Sequence, residues 1–316
     1  MSSSNAVVLE NIGKIFGSFK ALNNVNLEVQ TGKIFGLLGP NGSGKSTTLD
    51  IIMGFKKPDN GKVSLFGQNI TNGRLVREKI GLMLQETALF PYLTVKETLQ
   101  FFASLYEKSF PIDELLKMLK LESSVNKQVR KLSGGQRRKL DLGVAMIGLP
   151  KLLILDEPTT GFDPVSKHET WETIKKLRDS GTTIVITTQI MDEAEYLCDK
   201  LAILINGEVV IQEEMQLIKD NYNNKYNKQS SVVIHFAEET KLILESFPDA
   251  IKLDEHGCRW MILNQDVAKV TQEVHQIAAK EKIKVDDIDV KDSSLEEIFI
   301  ELVKDSEGAD KVEKLV

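Results

Sequence analysis

Short apolar runs and helical-period stretches alternate along the chain, and each change of period marks an element. Val7-Val8-Leu9 is an apolar run, and Val25-Asn26-Leu27-Glu28-Val29 alternates apolar with polar as a half-buried strand does. Residues 33–38 form an apolar strand that runs into a Gly-rich loop, and residues 46–53 continue as a helix. Pro58-Asp59-Asn60-Gly61 is a turn that leads into a strand over residues 62–67. Residues 94–147 read mainly as helix. Their start, Thr94-Val95-Lys96-Glu97, is a capping box, because the Thr hydroxyl and the Glu carboxylate can satisfy each other's free backbone N–H groups. From residue 152 to 205 the pattern becomes strand, helix, strand, helix, strand, which predicts a parallel sheet with crossover helices.

Residues 220–231 are polar and rich in Asn, Lys, Gln and Ser, and they read as a linker. Beyond them, residues 232–236 and 259–263 have strand character, while Val267, Val270, Val274 and Ile277 recur at helical spacing. Ser293-Ser294-Leu295-Glu296 opens a last helix lined by Leu295, Ile298, Phe299 and Leu302. The expected organisation is a large α/β domain over residues 1–219, with a helical subdomain at about 94–147. The linker at 220–231 follows, then a small α+β domain over 232–305 and a polar tail at 306–316. At about 75 residues, the second domain is near the size at which an independent core becomes marginal.

Hydrophobic residues make up 41% and charged residues 27% of the 316, which describes a chain able to bury a full core. The net charge of −6 argues against a general nucleic-acid surface. Cys198 and Cys258 fall in different expected domains, so two free thiols in a reducing compartment are the expectation. No apolar run approaches the ~18 residues of a membrane span. Met1-Ser2-Ser3-Ser4-Asn5 has neither the basic nor the apolar region of a signal peptide. A transport role would therefore place the membrane pathway in another chain.

The Gly-rich loop is Gly39-Pro40-Asn41-Gly42-Ser43-Gly44-Lys45-Ser46-Thr47, set between strand and helix. Glycines let backbone N–H groups close around phosphate oxygens, Lys45 adds a point charge for the β- and γ-phosphates, Ser46 a hydroxyl for Mg²⁺, and Thr47 one for phosphate. Asp156 and Glu157 close the apolar strand at 152–155. Asp156 there suits a Mg²⁺ shell and Glu157 a general base, although such a pair can also simply start a helix. Between these two features lies Leu132-Ser133-Gly134-Gly135-Gln136, at the start of a helix whose N–H groups make an anion site.

With all three motifs in this order, residues 7–218 resemble the ATP-binding-cassette (ABC) ATPases of transporters. The resemblance implies a parallel core sheet, an antiparallel β portion, a helical subdomain, and ATP with Mg²⁺ as ligands. It further implies that Gln85 contacts Mg²⁺ and the attacking water. An aromatic ring at Phe16 is implied to cover adenine, with Phe19 an alternative and core packing a rival for either. Ser133, Gly134, Gly135 and Gln136 are implied to face the γ-phosphate held by a second cassette, and Asp163 to sit in the loop linking the two sites. Phe162 stands where the family usually has Leu. Gln189 occupies the place of the family's switch histidine, so a neutral amide that cannot relay a proton stands there. Either it positions phosphate adequately, or hydrolysis is slower and the site altered.

The implied partners are a multi-span membrane permease in a separate chain, docking near Leu89, Phe90, Pro91 and Tyr92, and a second cassette of the same or a related sequence. The implied location is the cytoplasmic face of the membrane. Residues 188–195 and 290–302 resemble ATPases of drug, antibiotic and lipid export systems. A soluble ABC ATPase, or a slow nucleotide-gated regulator, is the competing reading. The strands ending at Leu38 and Leu155 are expected to be neighbours, so that Lys45 and Asp156 share one phosphate site.

Overall fold

The computed structural model describes residues 5–69, 79–85, 88–225, 230–238, 240, 243–248, 250–254, 258–264, 267–291, 295, 296, 298 and 299. They divide into two compact units, residues 1–215 and 216–316.

The first unit opens with a hairpin of β1 (Asn5–Phe16) and β2 (Phe19–Gln30), extended by β4 (Asn60–Leu65) and β5 (Gln68–Asn69) in the order β2-β1-β4-β5. Both hairpin strands outrun their apolar segments. Register shifts near Asn5, Leu9, Ile12 and Lys14 reset which side chains point inward, so the period of two is lost in the sequence.

A six-stranded sheet follows, ordered β10-β9-β3-β8-β7-β6. Its strands are β3 (Ile34–Leu38), β6 (Ile80–Met83), β7 (Leu152–Asp156), β8 (Thr183–Thr188), β9 (Lys200–Ile205) and β10 (Glu208–Glu214). All pairings are parallel except β10 with β9. β3 and β8 are buried along their whole length, as strands covered on both faces must be.

The sheet order corrects one expectation. β3 and β7 are not neighbours, because β8 pairs with both. The chain leaves β7, crosses through a helix and returns as β8 between the two strands. That places the end of β8 between the phosphate loop and the acidic pair.

Helices α1 (Lys45–Ile52), α2 (Val95–Ala103), α3 (Ile112–Leu119), α4 (Gly134–Met146), α5 (Pro164–Asp179) and α6 (Met191–Leu197) complete the unit. Leu49, Ile51 and Ile52 of α1 share a core with Val7, Leu9 and Val29 of the hairpin and Phe35, Ile154 and Val185 of the six-stranded sheet. The capping box at α2 forms as expected: Thr94 Oγ1 accepts from Glu97 N at 3.2 Å, and Glu97 Oε2 accepts from Thr94 N at 2.8 Å. α2, α3 and α4 meet at Gly143, where an added Cβ would stand 2.6 Å from Leu119 Cδ1.

The second unit starts with α7 (Met215–Lys225), so residues 220–225 continue a helix instead of forming irregular linker. Polar composition misled here because, among the residues of this helix whose burial is described, Ile218 alone is buried, which gives little apolar signal. β11 (Ser230–Phe236), α8 (Ile243–Ser246), β12 (Ile251–Lys252), β13 (Arg259–Asn264), α9 (Val267–Glu281) and β14 (Val285–Lys291) follow. The sheet order β12-β13-β11-β14, all antiparallel, gives the split βαβ arrangement. Val270 and Val274 of α9 pack on Val232, Ile234, Trp260 and Ile262. β14 escaped the sequence reading because three of its seven residues are aspartates. Of the expected last helix, Leu295 and Ile298 are buried. Ser293, Ser294, Leu302 and the tail at 306–316 lie outside the described residues.

Candidate active site

The carboxyl ends of β3, β8 and β7 open on one edge of the sheet, the usual place for a ligand in a parallel fold. Between β3 and α1 the loop turns through left-handed backbone at Gly42 (φ 81°) and Gly44 (φ 106°). A Cβ on Gly44 would lie 2.6 Å from Leu22 Cδ2 and 2.8 Å from Ala21 O, so only glycine lets the loop close against β2. Lys45 opens α1 and is buried, its Nζ donating to Gly39 O (2.7 Å) and Pro40 O (3.0 Å). Burial lowers its pKa, while Glu157 and Asp156 oppose that shift.

Beside the loop lies a cavity of about 220 Å³ lined by Phe16, Phe19, Ala21, Asn41, Gly42, Gly44, Lys45, Ser46, Thr47, Gln85 and Glu157. Ser43 is buried with its hydroxyl unpartnered and does not line the cavity; Gly39 contributes its carbonyl to Lys45. Both candidate rings are present at the hairpin tip, Phe16 being 42% and Phe19 60% exposed. Lys14 and Lys56 stand 5.5 Å from the Phe16 ring centre, which makes it an electron-rich platform already flanked by cations. A larger cleft, about 400 Å³, lies among Phe110, Met146, Leu149, Leu153 and Leu177, with Lys151 its one charged lining residue. Its lining offers no carboxylate or histidine and no Gly-rich loop before a helix.

On the far wall, Asp156 accepts a hydrogen bond from the Thr187 hydroxyl of β8. Burial raises its carboxyl pKa, with Glu157 adding to the shift and Thr187, Arg138 and Lys45 opposing it. Glu157 follows in a left-handed conformation, φ 47°, that a non-glycine residue holds only when its surroundings enforce it. Its N–H donates to Thr187 O at 3.1 Å. Its carboxylate accepts from Gln85 Nε2 (3.4 Å), from Thr160 Oγ1 (3.4 Å) and from Gln189 Nε2. Gln85 and Gln189 thus meet on one carboxylate.

Ser133, Gly134, Gly135, Gln136 and Asp163 are not among the residues lining this cavity. Ser133 caps α4, its Oγ accepting from Gln136 N while Gln136 Oε1 accepts from Ser133 N, both at 3.2 Å. Asp163 caps α5, accepting from Val165 N (3.1 Å) and Ser166 N (3.0 Å); the Ser166 side chain first, and then these backbone bonds, lower its pKa. Sequence reasoning missed Thr187, Thr160 and Arg138. Nothing in the sequence singled out Arg138, because Asp141 interrupts its helical stripe with Leu142 and Ala145.

Among the described residues, no helix is long and apolar enough to cross a membrane, and no group of three His, Cys, Asp or Glu side chains could hold a metal. Comparison with known proteins is consistent with the geometry. The family profile described as ABC transporter matches residues 22–160. Nod factor export ATP-binding protein I of Burkholderia lata is 40% identical over 208 residues, covering 64% of this chain and 68% of that protein. The same-named protein of Sinorhizobium fredii is 34% identical over 276 residues, covering 81% and 80%. The human phospholipid-transporting ATPase ABCA3 is 34% identical over 315 residues; this spans 93% of the present chain but 18% of that longer one. Among solved structures, the ATP-binding subunit of an ABC transporter superposes with a TM-score of 0.63 at 28% identity, over 69% of this chain and 93% of that one. A dimeric bacterial ABC transporter cassette gives 0.60 at 29% identity, over 66% and 98%.

Proposed function

The chain belongs to the ATP-binding subunits of ABC transporters, and from that premise we propose that it is the ATP-hydrolysing motor of an exporter whose membrane pathway is a separate multi-span chain. The observation that carries this reading is the Glu157 carboxylate, held by Gln85, Thr160 and Gln189 in the cavity that Lys45 also lines. A carboxylate so placed can take the proton of a water attacking a γ-phosphate, with the two amides orienting the water and the phosphate.

In this reading Lys45, Asn41 and the N–H groups of Gly42 and Gly44 hold the phosphates, Thr47 adds a hydroxyl, and Phe16 stacks on adenine. The Ser46 hydroxyl, the Asp156 carboxylate and the Gln85 amide oxygen are hard oxygen donors and fit Mg²⁺. A half-buried Asp156 whose pKa is raised by desolvation and by Glu157 is a charge that a divalent cation relieves. Bound there, Mg²⁺ neutralises charge on the phosphates. Ser133, Gly134, Gly135 and Gln136 then face ATP on a second cassette, and Asp163 lies at the contact between the two sites.

The export direction rests on relatives named for Nod factor export and phospholipid transport. For the membrane partner, Phe90 (49% exposed) and Tyr92 (67% exposed) present an aromatic surface backed by Phe101, whose ring lies edge-on to Phe90 at 5.2 Å. Leu89 packs inward. This docking puts the chain on the cytoplasmic face of a membrane. The split βαβ unit is a non-catalytic accessory domain for assembly or regulation.

The test is purification of the native chain under mild detergent. A stoichiometric multi-span membrane protein that stimulates ATP hydrolysis supports the reading. A chain that sediments alone, or with ribosomes, contradicts it.

A further inference from the structure

Beyond the ends of β6 and β7 the ladder between them stops, yet Gln85 and Glu157, whose side chains meet at 3.4 Å, lie just past those ends. One side chain spans the gap. Arg138 of α4 donates through Nη1 to Leu84 O (2.6 Å) and Gln85 O (3.0 Å), and through Nη2 to Asp156 O (2.8 Å) and Glu157 O (3.0 Å). The guanidinium thereby replaces the missing rungs, using a planar fork that lysine does not have. It also grips the carbonyl of Glu157, whose backbone is held at φ 47°.

Arg138 belongs to the same helix that Ser133 caps, and it lies little more than one turn from that cap. A rigid helix moves as a unit, so a displacement of its N-terminus reaches the carbonyls of Gln85 and Glu157 through a single side chain. The helix end proposed to meet a second cassette's ATP is therefore wired to this cassette's own base.

We propose that Arg138 is a positioning residue for hydrolysis: it holds the Gln85 and Glu157 backbones in their working geometry and couples that geometry to the engagement of Ser133. Glu157 is set correctly when α4 is seated, and it loses register when α4 shifts. The coupling rests on the composite-site reading above; the positioning role does not.

The test uses the full chain in four forms: wild type, Ser133→Ala, Arg138→Lys and the double variant. Steady-state ATP hydrolysis, equilibrium ATP binding and thermal unfolding are measured for each. Hydrogen exchange is followed in the peptides containing Leu84 with Gln85 and Asp156 with Glu157. Arg138→Lys keeps the charge and loses the fork. It is expected to lower kcat about ten- to a hundredfold, the scale of a misplaced catalytic group, with ATP affinity within about threefold of wild type. Exchange rises at the two peptides while unfolding stays cooperative. The double variant is expected to be no slower than the worse single one, since both act through one element.

Wild-type kcat with unchanged exchange in Arg138→Lys overturns the positioning role. So does a parallel fall of kcat, affinity and thermal stability, which marks a residue that only holds the fold. Losses that multiply in the double variant overturn the coupling. A Ser133→Ala chain with wild-type turnover contradicts the composite site itself, and leaves the Arg138 result to be read separately.

Discussion

Changing Gln189 to histidine tests the position at which the resemblance to the ABC ATPases implies a different side chain. In the structure the Gln189 amide donates to the Glu157 carboxylate. An amide nitrogen carries two N–H donors, so it can hold Glu157 and a γ-phosphate oxygen together, but it never becomes cationic. A charged donor to phosphate contributes about 1.5–3 kcal/mol, against about 0.5–1.5 kcal/mol for a neutral one. The difference is on the order of 1–1.5 kcal/mol and, expressed in the transition state, about five- to thirteenfold in rate. Gln189→His is thus expected to raise kcat by that factor. The KM for ATP should change less than about threefold, because Lys45 and the loop backbone hold the nucleotide in either form. The variant should also gain a pH limb near the imidazole value of about 6.5 that the parent lacks. No other described histidine can supply such a limb: His168 lies against Trp171 and Tyr196, His235 is in β11 and His275 in α9. The assay is phosphate release between about pH 6 and pH 9 for both forms, with Glu157→Gln as the blank. Equal rates and superimposable pH profiles would refute the reasoning, and show that a neutral amide serves as well as a cation there.

Asp156→Asn removes a carboxyl whose pKa is raised by burial. Because the folded state then binds the proton more tightly than the unfolded chain, this group's stabilising contribution exists below its unfolded value and is lost as pH rises through the raised one. At neutral pH the ionised Asp156 opposes folding, so the nucleotide-free variant should melt about 2–4 °C higher while losing hydrolysis; a lower melting temperature contradicts this. Cys198 is buried, with its thiol pushed far above its usual range by desolvation, whereas Cys258 is half-buried. Mass spectrometry after brief maleimide treatment of the native chain should find the label on Cys258 alone; comparable labelling of Cys198 would show that its site opens. A chain ending at Lys225 should bind ATP with affinity within about threefold of the full chain, as measured by calorimetry; a folded truncation that cannot bind ATP would place part of the site in the second unit.

How much was readable beforehand follows from what each element asks of the sequence. The Gly-rich turn between strand and helix was legible because left-handed backbone at 42 and 44 demands glycine. Asp156 and Glu157 were legible because charges directly after a buried run are costly unless used. The capping box at Thr94 was local and was read correctly. Long-range pairing was not local: nothing in residues 183–188 says that this strand slides between β3 and β7. The bulged hairpin hid most of its length by breaking alternation, and β14 hid behind Asp286, Asp287 and Asp289. Arg138 lay on a stripe that Asp141 interrupts. Its role emerged only when two strand ends 72 residues apart, at Gln85 and Glu157, came together.

The central claim is that ATP is gripped between the Lys45 loop of one cassette and the Ser133 helix end of another. The most direct measurement is the mass in solution of the Glu157→Gln chain by light scattering, with and without saturating ATP, alone and with its membrane subunits. Slowed hydrolysis should leave the ATP state populated, so the account predicts a dimer that needs ATP. It also predicts that replacing Ser133 by arginine abolishes the dimer while each monomer still binds nucleotide. A Glu157→Gln chain that stays monomeric under all these conditions, or a Ser133→Arg chain that dimerises equally well, would contradict it.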